Sequence, residues 1–406
     1  MLDIRLKQNS FLKKILIEER NDFSIQTKSY AEKVKLLIIR DLLRIGWEIR
    51  LKTDRVLIRP PKFYDKQIVK ESMQIKRQEL LLRNEDWINK HIGLAKRNLA
   101  DGAAVWESKI DPIVEVCETQ PQLDLFRIFR FYWSSPYSEY VGRRIKLLIR
   151  DNALANKPII GIAALGSSIV HIPARDKWIG WETKGRTKNL VFTMDAYVLG
   201  ALPPYNYLLG GKLVSYIIAS NEVRKIYERK YKGKVTNIAK RKANRLACIF
   251  TTSLYGKSSQ YNRVKYDGNL IYVPIGQTKG YGTLHLTNET FEAMRSLIKS
   301  HHVLIPNRFG DGPIWRMRVI RTAADILGFD SDFLLKHSFQ RKIYAVPLAH
   351  NCREFLRGEN KRLCYCNYPM DDLIRYWKAR WLTIRKTKCQ IKNSVNSFRA
   401  EDFSIF

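Results

Sequence analysis

One stretch narrows the choice of fold more than any other. "DAYVLGALPPYNYLLGGKLVSYIIAS", Asp195 to Ser220, runs from an apolar, strand-like segment through Pro203-Pro204 to Gly210-Gly211 and into a run with helical periodicity. Strand, tight turn, glycines and helix bring a helix N-terminus, with its unpaired N–H groups and positive dipole end, up to where an anion can sit. In that reading Asn206, Gly210 and Gly211 supply the cradle and Lys212 adds a cation. The spacing is neither a Walker A loop nor G-x-G-x-x-G. The same glycines also serve close helix–strand packing.

The flanking sequence extends the pattern. "RRIKLLIRD", "KPIIGIAALGSS" and "NLVFTMDAYVLGALPP" read as strands separated by polar turns. A long helical pattern, "GGKLVSYIIASNEVRKIYERKY", is followed by the strand "RLACIFTTSLYG", a short helical stretch "SSQYNRVKYDG" and two more strands in "NLIYVPIGQTKGYGTLHLT". Before this block, "SYAEKVKLLIIRDLLRIGW" places Val34, Leu37, Ile38, Leu42 and Leu43 on one helical face. "WEIRLKTDRVLIRPP" then gives a hairpin about a "KTD" turn, a helix and hairpin like a small winged module. After about Asn288 the chain returns to helices, first "ETFEAMRSLIKSHH" and then "GPIWRMRVIRTAADILGF". The expected fold class is therefore α+β (mixed α/β), a central mixed sheet flanked by helical regions. The expected domains are a basic helical N-terminal region over 1–104, a central α/β domain over 105–288 and a basic helical region over 289–406.

Charge bounds the partners. The 406 residues carry 72 Lys and Arg against 39 Asp and Glu, a formal +33. A chain so basic attracts polyanions, and nucleic acid is the expected partner, ahead of an acidic protein. No segment is apolar over the roughly 18 residues that a membrane helix needs. The N-terminus mixes both charge signs through its apolar residues, unlike a signal peptide. The expected location is the cytoplasm, with no membrane partner. The six cysteines form no dense framework, so reduced thiols are expected. Cys352, Cys364, Cys366 and Cys389 lie late in the chain, but C-x-C is not the usual zinc knuckle spacing, and no metal is expected.

Three further clusters carry chemistry-bearing residues. In "HIPARDKWIGWETKGR", Arg175, Asp176, Trp178, Trp181 and Glu182 share a polar loop. There a carboxylate can act as base, arginine can hold an anion and indole can stack, or the loop is anchored by buried tryptophans and an Arg–Asp pair. "TTSLYGKSSQYNR" and "GQTKGYG" set hydroxyls beside Lys257, Arg263 and Lys279, which suits phosphate. "FGDGPIWRMRVIR" offers Arg316, Arg318 and Arg321 as phosphate-backbone contacts. The cation–aromatic tail "YWKARWLTIRKTKCQIKNS" suits either single-strand stacking or ordinary packing of Trp377 and Trp381.

The succession of strand, glycine turn, long helix, "LACIFTTSLYG" and "SSQYNRVKYDG" resembles the GCN5-related acyltransferases. That resemblance implies an acyltransferase-like sheet, acyl-CoA as cofactor on the glycine turn, and Tyr261 as general acid, since a phenol within reach can protonate a departing thiolate. The longer motifs "YVGRRIKLLIRD", "GIAALG", "ARDKWIGW", "MDAYVLGALPPYNYLLGGKL", "TTSLYGKSSQYNR", "IGQTKGYGTLH" and "FGDGPIWRMRVIR" resemble the Druantia anti-phage defence family DruA over most of the chain. This second resemblance implies a bacterial, cytoplasmic component of an antiviral system, working beside other subunits that include a large helicase-like protein. Two functions stand open. One is a nucleic-acid-directed enzyme using Tyr261, Asp176 and Arg175. The other is a non-catalytic module that recruits DNA.

Overall fold

The computed structural model describes residues 2–5, 29–51, 55–61, 66–133, 142–182, 188–236, 240–305, 313–328, 330–337 and 339–406. The expected "KTD" turn and most of the chain before residue 29 lie outside them. The chain divides into two compact units, each discontinuous in sequence. The first comprises Met1–Arg83, Ser134–Glu139 and Lys279–Gln340, and the second Asn84–Trp133, Tyr140–Thr278 and Arg341–Phe406. The expected boundary at 104 thus falls inside the second unit and the one at 288 inside the first. Each unit draws together stretches that are distant in the chain.

In the first unit, the helices Tyr30–Arg44, Asn288–Ser300 and Pro313–Leu327 share one apolar core around Leu37, Ile38, Met294, Leu297, Val319 and Ala323. The expected hairpin is present as Glu48–Leu51 paired with Arg55–Arg59. Buried Asp41 ties the parts together. Its Oδ2 accepts from the Thr287 amide at 2.6 Å and hydroxyl at 2.8 Å, and Thr287 itself caps the helix Asn288–Ser300.

The second unit is built on a mixed sheet, which with its flanking helices gives the α+β class. Its strands are β1 (Pro112–Val116), β2 (Arg144–Asp151), β3 (Ile159–Ser167), β4 (Thr193–Ala201), β5 (Cys248–Ser253), β6 (Val273–Gln277) and β7 (Lys342–Pro347). Their order across the sheet is β6-β7-β5-β4-β3-β2-β1. Neighbours are antiparallel except β4 and β5, which run parallel over Thr193–Cys248, Met194–Ile249 and Asp195–Phe250 and then part. β3 and β4 read as apolar runs because both faces of the sheet are covered. Helix α1 (Pro173–Ile179) lies on one side with the short helix Cys352–Arg357, around Phe250, Ala345 and Phe355. Helix α2 (Gly210–Ile218) packs on the other with α4 (Met370–Trp377), around Leu213, Ile217, Leu373 and Trp377.

Four local expectations change. The long helical pattern after Gly210 is two helices, α2 and α3 (Asn221–Lys230), because Ser220 breaks the first and its hydroxyl caps the second by accepting from the Val223 amide. "SSQYNRVKYDG" is no helix: Arg263 turns left-handed at φ 64°, and the chain leaves as a small hairpin, Lys265–Tyr266 with Asn269–Leu270. The "ARDKWIGW" segment is helical, since Pro173 suits a first turn and Gly180, at φ 83°, closes the helix. Finally, the C-terminal region contributes β7, a strand between β5 and β6, and is not purely helical.

Candidate functional site

The glycine turn is a packed corner. After β4, a short 3-10 turn over Tyr205–Leu208 and a left-handed Leu209 (φ 61°) lead straight into α2. A β-carbon on Gly210 would lie 2.7 Å from the Tyr205 carbonyl oxygen and 2.9 Å from the Ala201 β-carbon, so only glycine lets the helix start this close. Lys212 is buried and its ammonium donates to the carbonyls of Ser259 at 2.6 Å and Asn262 at 2.8 Å. Burial, with Arg263 and Arg380 adding to it, brings its amine down to about 8. Trp381 lies over that amine, 4.5 Å from ring centroid to Nζ. The Trp377 indole donates to the Leu209 carbonyl at 3.2 Å and Arg385 to that of Tyr207 at 2.9 Å. The π-helical turn Lys378–Leu382, following α4, thereby helps to roof the corner. Asn206 stands in the same turn with its Oδ1 buried and unbonded.

The gap between the parting strands is also filled. Gln260 reaches in and donates to the Leu199 carbonyl at 3.3 Å and to the Ser215 hydroxyl at 3.1 Å. Tyr261 stacks on Tyr272 at 5.1 Å and meets Tyr344 edge-on at 5.2 Å. Burial pushes the Tyr261 phenol up to about 12, against a hydrogen bond with Thr251. The turn and the Tyr261 segment are therefore brought together as expected, but they engage one another.

Arg175 and Asp176 form a separate constellation. The Arg175 guanidinium is fully buried and donates to Asp176 Oδ1 from Nε at 2.9 Å and Nη2 at 2.7 Å. It also donates to the carbonyls of Ile169 at 2.6 Å and Val170 at 3.0 Å. Asp176, tied to it, is no free base. A second acid lies close by on β4: Asp195 Oδ2 accepts from the Ile169 amide at 2.9 Å, while its Oδ1 is buried without a hydrogen bond. Burial lifts this carboxyl to about 6, opposed by the Ile169 amide, Arg175 and Ser168. Sequence reasoning passed over Asp195, although a lone acid inside an apolar strand is a visible signal.

The open, charged feature lies elsewhere in this unit. A groove of about 690 Å³ is lined by Glu228, Arg229, Lys232, Asn244, Arg245, Arg362, Leu363 and Tyr365. α3 positions Glu228 and Arg229, and the apolar face of that helix (Val223, Tyr227) fixes which residues face out. Arg245 is held over Phe192 and Phe355, at 5.0 and 4.8 Å, and donates to the Lys361 carbonyl at 2.8 Å. Arg224 stacks on Tyr365 at 4.0 Å and pairs with Glu228 at 3.0 Å. The signal for this site was in the sequence: from Arg224 through Arg245, both included, stand ten lysines and arginines against one glutamate.

Comparison with known proteins now decides the family. The family model described as "Druantia protein DruA" matches residues 64–358. A curated relative of that name from Escherichia coli (strain UMEA 4076-1) is 35% identical over 328 residues, 80% of each chain. The chain belongs to the DruA family. It is thus a component of the Druantia anti-phage system. No solved structure gives a significant match. The DruA match takes in α3 and Arg245 of the groove, while Arg362 and Tyr365 follow just beyond it.

The other nucleic-acid candidates of this DruA-family chain are divided between the units. Lys257 and Arg263 are exposed in the second. Lys279, Arg316, Arg318 and Arg321 belong to the first, where Arg316 lies over Phe291 at 3.9 Å and donates to Asn288, and Arg321 donates to the Tyr281 hydroxyl at 2.7 Å. Of the cysteines, Cys352 and Cys366 are buried and Cys364 and Cys389 exposed, all unpaired. Among the described residues no group of three or more His, Cys, Asp and Glu is placed to hold a metal ion, and no helix is long and apolar enough to cross a membrane.

Proposed function

We propose that this DruA-family protein serves Druantia defence by binding nucleic acid in the basic groove, beside other Druantia subunits that include a large helicase-like protein. The observation that carries the reading is the groove's lining: Arg229, Lys232, Arg245 and Arg362 against the single carboxylate of Glu228, on a chain of formal charge +33. Cations gathered in a concavity focus the field on a polyanion. Binding of this kind releases counterions, so log K falls linearly with log salt. The test is a salt titration by fluorescence anisotropy, with the triple variant Arg229→Glu, Lys232→Glu, Arg362→Glu beside the parent. The variant is expected to lose about one unit of slope for each phosphate contact removed and to lose phage protection. Salt-insensitive binding, or an unchanged slope in the variant, sinks the reading.

A second reading is favoured by the parting of parallel strands β4 and β5 ahead of the glycine turn and α2, a succession that resembles the GCN5-related acyltransferases. In it acyl-CoA displaces Gln260 and Trp381 from the corner and Tyr261 lines the opened cleft, while Asp176 and Arg175 stay on the opposite face of the sheet. Acetyl-CoA then raises the melting temperature of the parent and not of Gly210→Val. No shift with the parent removes this reading and leaves the first intact.

A further inference from the structure

We infer that the groove takes a single strand and not a duplex, with an unstacked base against Leu363 and Tyr365 and phosphates along the cationic rim. The inference rests on the nucleic-acid reading above and sharpens it. Shape argues first. Proteins read duplexes by pushing a helix or a β-ribbon into the major groove, about 12 Å wide. Here the surface is concave, and its volume falls within the roughly 300–1,000 Å³ of clefts that enclose small ligands. An open concavity of that size has room for an extruded nucleotide.

The lining argues second. Arg229, Lys232 and Arg362 are exposed, whereas Leu363 and Tyr365 are half-buried. The wall between the charges is mostly carbon. A site for phosphates alone needs N–H groups, and carbon between them is wasted. A carbon wall below a cationic rim suits a strand whose bases turn inward, since base–aromatic stacking is available to any unstacked base. A duplex keeps those faces covered by its own neighbours.

Rigidity argues third. Arg224 clamps Tyr365 and pairs with Glu228, and Arg245 is fixed by two phenyl rings and the Lys361 carbonyl. A preorganised wall loses little freedom on binding. Glu228 then finds a use that a backbone-only site denies it. A carboxylate repels phosphate, but it accepts from the exocyclic amine of a base.

The experiment compares fluorescein-labelled oligothymidine with a duplex of equal length at one salt concentration. The strand is expected to bind at least about 10-fold tighter. Tyr365→Ala is expected to weaken the strand by roughly 5- to 100-fold, the worth of one base–aromatic stack, and to leave the duplex unchanged. Tyr365→Phe keeps the ring and is expected to keep strand affinity, which separates stacking from misfolding. Equal or tighter duplex binding that still needs Arg229 and Arg362 overturns the single-strand inference and leaves the groove reading standing. Binding of both forms that ignores Arg229 and Arg362 overturns the groove reading itself.

Discussion

The glycine corner and the basic groove both gather cations, and they treat them in opposite ways. In the corner, the Lys212 ammonium is engaged by two carbonyls and covered by an indole. The Arg175 network on the opposite face of the sheet is more extreme, with one guanidinium serving Asp176 and two carbonyls at full burial. In the groove, Lys232 and Arg362 stand exposed around an open volume. A cation marks a ligand site when its donors remain available, and a structural brace when the protein has already taken them.

The comparison predicts that changes in the braced set cost stability and changes in the groove cost binding. The largest effect is expected from Arg175→Met, which leaves Asp176 and Asp195 without their buried cation. Removing one partner of a buried pair costs about 3–5 kcal/mol, to be read from urea unfolding. A loss below about 1 kcal/mol, at the level of an exposed pair, would break the contrast.

Next comes the pH dependence of Asp195. Its carboxyl is raised to about 6 in the folded chain, above the roughly 3.9 of an unfolded aspartate. The folded state therefore holds more protons in this window. The stability contributed by protonated Asp195 is full below about pH 4 and is lost as pH rises through about 6. Two units correspond to about 2–3 kcal/mol. Unfolding curves from pH 4 to 7 should show that loss in the parent relative to Asp195→Asn, and parallel curves would show that burial does not govern this carboxyl.

Gly210→Val is expected to cost about 1–3 kcal/mol by overpacking against Tyr205 and Ala201, with nucleic-acid affinity unchanged. A variant as stable as the parent that loses a ligand would reassign the corner to binding. The smallest effect on folding is expected from Arg229→Glu with Arg362→Glu, within about 0.5 kcal/mol by urea unfolding, although these carry the salt-dependent affinity.

What could be read in the sequence was what local pattern encodes. β2, β3 and β4 were visible as apolar runs, and the helices Tyr30–Arg44 and Asn288–Ser300 as one-faced periodicities. β7 was not, because "IYAV" is short, sits in a helical region and pairs only with strands far away in the chain. The groove stayed hidden for a related reason. Its lining comes from α3, from Asn244-Arg245 and from Arg362–Tyr365, so only the charge run on one of its walls was local. Spacing brought the glycine turn and Tyr261 together correctly, but it could not reveal that Gln260 and Trp381 occupy the space between and above them.

The position of β7 sets an order of assembly. During synthesis β5 and β6 emerge with no strand between them, and the whole third segment of the first unit must be made before Lys342–Pro347 arrives to join them. Until then β5 carries an unpaired edge, the kind of surface that recruits foreign strands. Such long-range pairing raises contact order and slows folding. A nascent DruA-family chain halted before β7 is thus expected to aggregate or to require a chaperone, whereas one released just after Pro347 already has every partner that this edge needs.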